Sequence, residues 1–185
     1  MVILICGLLL WVGVHLMPAV LPGNKQALLT KLGEKRYKLL FTLLIFTSMV
    51  LIVVGYRNTQ PQFLYHFAFA RHIAYLMILI AFALMAAANI PSHIKHLVRH
   101  PQLTGVFIWA SAHMLLNGDT RALMLFATLG IWCVLEMFFI NRRDGAWLRP
   151  TTEGWKGDII VVVATLVVVP VVMLIHGWLG VPLIH

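Results

Sequence analysis

Any chemistry this chain performs has to come largely from imidazoles. It carries nine histidines among 185 residues. The phosphate-cradling P-loop, GxGxxG, HExxH and GxSxG patterns are all missing from the sequence, so nucleotide, zinc-peptidase and serine-hydrolase chemistry lack the spacings they use. His15, His72, His113 and His176 lie within or at the ends of long apolar runs. An ionisable side chain is costly there and marks a ligand site, a relay or a pairing. Neutral imidazole is a good metal ligand, and iron held between facing helices is commonly ligated by histidines. These four are therefore candidate metal ligands, and haem iron is one metal they suit.

A second constellation runs from Pro91 to Pro101. Ser92 is placed to cap a short helix that Pro101 interrupts. His93, His96 and His100 would then share one face, a spacing compatible with a metal but also with a solvated interfacial segment. Arg99 and His100 precede a helix opened by Pro101, where an anion is favoured and where a haem propionate would fit if the haem lay low in the bundle. Glu136 is the one acid well inside an apolar run. It is expected to snorkel toward Lys95, Arg142 or Arg143, with a proton-donating or ligand-orienting role as the alternative. Cys6 and Cys133 both sit in apolar runs and read as packing residues. Trp11, Trp109, Trp132 and Trp178 read as packing or interfacial-belt residues.

The elements that must position these groups are membrane helices. The chain is 61% hydrophobic and 11% charged, with mean hydropathy +0.92. A soluble domain carries about 25% charged residues, so a water-facing globule is excluded. Six apolar stretches stand out, 1–22, 39–56, 72–90, 102–117, 121–140 and 158–180. Each approaches the roughly 20 residues that a bilayer requires. The expectation is an all-α polytopic bundle of six transmembrane helices forming a single domain over 1–185. The net charge of +8 is a matter of topology rather than of nucleic-acid binding, because the basic residues fall in short loops. Eleven lie in 23–38, 91–101 and 141–157, against three (Arg57, Arg71 and Arg121) on the other side. The first set is then cytoplasmic and both termini are outside. No basic residue precedes the first run and no small-residue cleavage site follows it, so it reads as a retained helix rather than a cleaved signal. At a rise of about 1.5 Å per residue, His113 lies roughly 18 Å from the cytoplasmic face and His15 about 9 Å lower than it. His72 and His176 are placed near the outer face and compete as partners of His113, so spacing leaves the pairing open.

The segment Leu32-Gly33-Glu34-Lys35-Arg36-Tyr37-Lys38-Leu39-Leu40-Phe41 resembles the LGxRxYRxLF signature of the NnrU family. Arg99-His100-Pro101-Gln102, Gly105, Ile108-Trp109, Ala112-His113 and Asn117-Gly118-Asp119 resemble that family's RHP…G…W…AH…NGD core. Arg71-His72 and His15 also fall at family positions, and the resemblance covers nearly the whole chain. It implies kinship with a plant 15-cis-zeta-carotene isomerase that carries b-type haem, with His15 and His113 as axial ligands by position. The plant enzyme has a cysteine, implicated in ligand switching, where this chain has Ala110. Bacterial members are linked with denitrification, through nitrite and nitric oxide metabolism. The expected protein is thus a multi-pass bacterial inner-membrane haem protein, acting on a lipid-soluble polyene or a nitrogen oxide. Two other readings are an accessory subunit for denitrification enzymes and an S-adenosylmethionine-dependent methyltransferase. The latter rests on a similarity of Arg99-His100-Pro101 and Gly105 to the RHPxYxG element of membrane methyltransferases. The acidic helix-end motif and second cofactor segment of those enzymes are not evident in 141–185.

Overall fold

The computed structural model describes residues 1–151 and 154–178. They form eight helices: α1 (Val2–Val20), α2 (Pro22–Leu32), α3 (Glu34–Asn58), α4 (Ala70–Ala87), α5 (Ile94–Leu97), α6 (Pro101–Leu116), α7 (Thr120–Asp144) and α8 (Lys156–Trp178). The described residues contain no strand, only an isolated bridge between Phe63 and Asp119. The architecture is all-α, as the apolar runs require. Residues 179 and 180, the end of the sixth run, lie outside the described residues.

Local sequence accounts for the boundaries. Pro22 and Pro101 open α2 and α6 at a position where their missing N–H is no loss. Gly33 (φ 76°) separates α2 from α3, a backbone state that only glycine adopts without strain. A Glu34–Lys38 pair (2.6 Å) then supports the first turn of α3. The Asp119 carboxylate caps α7 by accepting from the backbone N–H of Arg121 and of Ala122, both at 3.0 Å.

Two expectations are corrected here. Residues 23–38 are not a loop: α2 occupies most of them, because lysine, glutamine, alanine and leucine are good helix formers whatever their hydropathy. Ser92 does not cap α5. His93 stands at the N-cap, without a side-chain cap bond, and the Ser92 hydroxyl is buried with no partner.

Helix neighbours follow the order α3, α1, α7, α6, α4, α8. Glycines permit the tightest contacts, as is usual where helices must approach closely in lipid. A Cβ at Gly55 of α3 would collide with the backbone of Leu4, and one at Gly105 of α6 would come within 2.7 Å of the Ala81 carbonyl oxygen on α4. The central core is Ala110, Ala122, Phe126, Leu129, Trp132 and Cys133, at the α6–α7 seam and under α1.

The connections gather at two opposite ends. At one, the 59–69 segment is tied to the 117–120 turn by Leu64 N–H donating to the Gly118 carbonyl (2.7 Å), Thr120 N–H to that of Gln62 (2.9 Å) and the Tyr65 hydroxyl to that of Met114 (2.7 Å). Arg121 lies over the Tyr56 ring, 4.5 Å from its centroid. At the other end, Asp158 accepts from His93 N–H (3.0 Å) and pairs with its Nδ1 (2.6 Å), while Arg99 donates to the Gly145 carbonyl (2.8 Å). The eleven basic residues belong to this second end, hereafter the basic end.

Five helices (α1, α3, α4, α7 and α8) are long and apolar enough to cross a membrane. The 16-residue α6 runs between the same two ends. Large apolar side chains such as Leu43, Phe46, Val50, Val163, Leu166 and Leu174 face outward on α3 and α8, the inverse of a soluble surface and the expected finish for helices in lipid.

Candidate functional site

Three of the histidines on these helices share one local construction. His15 Nδ1 lies 2.9 Å from the Trp11 carbonyl, His113 Nδ1 2.9 Å from that of Trp109, and His176 Nδ1 3.0 Å from that of Val172. A carbonyl can only accept, so Nδ1 carries the proton in each ring and the Nε2 lone pair is left for a ligand or metal. The preceding helical turn thereby sets the tautomer.

Their surroundings differ. His15 packs among aromatic rings, with centroids 4.2 Å from Trp11, 4.9 Å from Trp132 and 5.8 Å from Phe41. His113 packs on Trp109 (4.5 Å) and Phe126 (4.7 Å), with His176 at 6.5 Å. Trp132 and Phe126 lie six residues apart on α7, so the two histidines sit at levels roughly 9 Å apart along it. His113 and His176 line a common cavity of about 190 Å³, floored by Tyr75, Ile78, Leu79 and Phe82 of α4. The floor residues recur at the spacing of one helical face. Trp109 and Leu116 of α6 and Val169, Val172 and Met173 of α8 complete its walls. The cavity exists because α6 and α8 both pack chiefly on α4, which leaves a trough between them.

Two neutral imidazoles are a donor pair of the kind that ligates haem iron. One metal shared by two Nε2 atoms at bonds of about 2 Å would put the ring centroids about 6 Å apart; the observed separation is 6.5 Å, with the rings tilted 45° to each other. The walls are otherwise apolar and aromatic, as a cofactor pocket requires.

The remaining candidates lie elsewhere. His72 lines a separate cavity of about 400 Å³ with His66, Arg71 and Leu116, at the end away from the basic loops. Arg99 and His100 are at the basic end, where His100 Nε2 meets Asn141 Oδ1 at 2.8 Å. They sit about 20 Å from His113 along the direction of α6. His93 and His96 rings stand 6.1 Å apart, but His100 turns to α7 instead of joining them. Among the described residues no three histidine, cysteine or acidic side chains converge on a metal position. Glu136 does not reach a basic side chain by hydrogen bond or ion pair; its Oε2 is buried, as are the unpartnered indole N–H groups of Trp11 and Trp132. Sequence reasoning missed Tyr75, Phe82, Met173 and Asp158. The first two repeat at helical spacing after His72, a usable signal, whereas nothing local marks Met173 or Asp158.

No curated protein and no solved structure matches this chain. The NnrU protein family model matches residues 3–183, nearly its whole length, and the chain therefore belongs to the NnrU family.

Proposed function

We propose that this NnrU protein is a redox-active haem protein that crosses a bacterial inner membrane six times, its termini outside, and holds one b-type haem between His113 and His176. The observation that carries the reading is the pair of imidazoles 6.5 Å apart across an apolar cavity, each with Nδ1 already engaged. The positive-inside distribution of charge supports the orientation, and α6, running alongside α4 and α7, supplies the sixth crossing. A haem bound here would contribute one-electron chemistry in a low dielectric. His113 and His176 orient through their backbone hydrogen bonds, and Trp109, Phe82 and Met173 exclude water. His176 lies near the end of α8 and is the ligand more readily released. Of the two chemistries that family resemblance implies, polyene isomerisation is favoured over handling of a nitrogen oxide. The trough between α6 and α8 is lined by apolar side chains, surroundings that suit a lipid-soluble molecule better than a polar one.

The test is the reduced-minus-oxidised spectrum of protein purified from haem-replete membranes. The expected result is a low-spin, six-coordinate haem. Colourless protein would overturn the proposal, and loss of the spectrum in His15→Ala but not in His176→Ala would return the second ligand to α1.

A further inference from the structure

On the far side of the bundle from the histidine pair, α1, α2 and α3 enclose two adjoining cavities. The deeper, of about 250 Å³, is lined by Leu9, Gly13 and Met17 of α1, Leu28 of α2, and Leu40 and Leu44 of α3. The shallower, of about 370 Å³, is lined by Pro18, Lys25, Lys38 and Thr42. Tyr37 and Phe41 line both, so they form one groove whose walls turn from apolar to basic toward the basic end. From Leu9 to Pro18 the groove follows α1 for roughly 14 Å. Two glycines of α1 show how it arises. At Gly7 the helix lies against α3 so closely that a Cβ would come within 2.8 Å of the Ile52 nitrogen. At Gly13 a Cβ would meet nothing within 4 Å. Glycine weakens a helix interior relative to alanine. Close helix packing accounts for Gly7, whereas no protein atom accounts for Gly13. Gly13 instead lines the groove, where a missing side chain lets a ligand lie against the backbone. The charge here is one-sided. Lys25, Lys31, Lys35, Arg36 and Lys38 stand in 22–38 against one acid, Glu34, and Lys38 takes that acid. The Lys25 ammonium, at the mouth of the groove, has no hydrogen bond or ion pair among the described residues. A ligand matched to this groove has a long apolar chain and a negative head.

We infer that the groove binds one anionic glycerophospholipid, with an acyl chain along Gly13 between α1 and α3 and the phosphate against Lys25. The assignment rests on the membrane placement of the helices and not on the haem. Basic side chains at a membrane surface attract anionic headgroups, and a zwitterionic head would bring its own cation into a field of basic residues. Tyr37, at the junction of the two cavities, has the amphipathic ring that suits the boundary between chain and head. The lipid also explains how α2 is held. None of its residues is buried within the protein, and a chain passing Leu28 covers its apolar side.

The test is native mass spectrometry of the full chain, delipidated in detergent and titrated with phosphatidylglycerol or with phosphatidylcholine of the same acyl chains. Wild type should bind one phosphatidylglycerol about fivefold more tightly than phosphatidylcholine, the preference that one lysine at the surface provides. In Lys25→Gln that preference should fall to about twofold or less, with phosphatidylcholine affinity unchanged, and Lys25→Arg should retain it. Gly13→Leu fills the groove without touching the head and should weaken both lipids about tenfold, with no fall in the unfolding midpoint. Val163→Phe, on the outward face of α8, should change neither. Equal affinity of wild type for the two lipids overturns the anionic assignment. Binding that is the same in Gly13→Leu and wild type overturns the groove as the site. A lipid-free dimer that Gly13→Leu abolishes overturns it in favour of a second copy of the chain. Protein that an alkaline wash strips from membranes overturns the membrane placement itself, an outcome separate from these three.

Discussion

Trp11-x-x-x-His15 and Trp109-x-x-x-His113 are the same motif set in two places. In each, the imidazole stacks on the indole one turn earlier and its Nδ1 is satisfied by that tryptophan's carbonyl. Sequence and local helix geometry make the two histidines equivalent. What separates them is what lies beyond: around His15, the rings of Trp132 and Phe41 complete an aromatic box, whereas His113 lines a cavity together with a second imidazole 6.5 Å away. A helical turn can prepare a histidine to ligate, but only a neighbouring helix can give it something to share.

The sharpest way to break that contrast is to remove each histidine in turn. On the proposed haem reading, His113→Ala should lower haem retention through purification by about tenfold or more, since a ligand and a wall of the cavity would go together. His15→Ala should leave retention within about twofold, its cost falling on packing instead. If both variants lose haem alike, the two sites are not functionally distinct. His176→Ala is a milder lesion, because His113 and the apolar walls remain. The expected outcome is a shift from six-coordinate low-spin to five-coordinate high-spin absorbance, reversed by millimolar imidazole. An unchanged low-spin spectrum would remove His176 from the coordination sphere.

The two regions also differ in how their helices are fastened, and glycine substitutions read that difference. Gly105→Ala puts a Cβ 2.7 Å from the Ala81 carbonyl oxygen across the α4–α6 seam beside the cavity. Gly55→Ala intrudes on the Leu4 backbone at the α1–α3 seam. Each should lower stability by about 1–3 kcal/mol, the usual range for overpacking, measurable as a lowered midpoint in thermal or denaturant unfolding in detergent. Only the Gly105 change should also alter the haem spectrum, since α4 and α6 both line the cavity. A spectral change in Gly55→Ala would mean that the two halves are mechanically coupled through α7.

How much of this was legible beforehand varies with the length scale of the cause. The apolar runs at 72–90, 102–117 and 121–140 correspond to α4, α6 and α7 within a few residues, because helix length in lipid follows directly from hydropathy. Ends defined by charge were misjudged. α3 begins at Glu34 and α7 continues to Asp144, since a helix does not stop where hydropathy falls, and residues such as Glu34 and Lys38 pair along it. The apolar context singled out His15, His72, His113 and His176, with His15 expected as the partner of His113 and His72 or His176 as alternatives. The neighbour His113 has in the structure is His176, and the sequence did not show this, because their 6.5 Å approach depends on α4 carrying α6 and α8 side by side. That arrangement joins residues 63 positions apart through a third helix and leaves no spacing signature.

The finest distinction concerns the two tryptophans. The hydrogen bond that fixes each histidine comes from a backbone carbonyl, so replacing the side chain leaves the tautomer untouched. Trp109→Phe and Trp11→Phe therefore isolate the ring contribution. Trp109 lines the cavity shared by His113 and His176, while Trp11 faces Trp132 in an edge-on contact with centroids 5.7 Å apart. Losing part of one aromatic contact is worth about 0.5 kcal/mol, so Trp109→Phe should weaken haem binding about two- to threefold. Trp11→Phe should leave haem binding unaltered and change only the unfolding midpoint. Soret titration of the two variants side by side measures the difference. Equal weakening would show that the indole acts through overall helix packing, not through the wall it presents to the cavity, and the contrast between the two motifs would then reduce to the presence or absence of a second histidine.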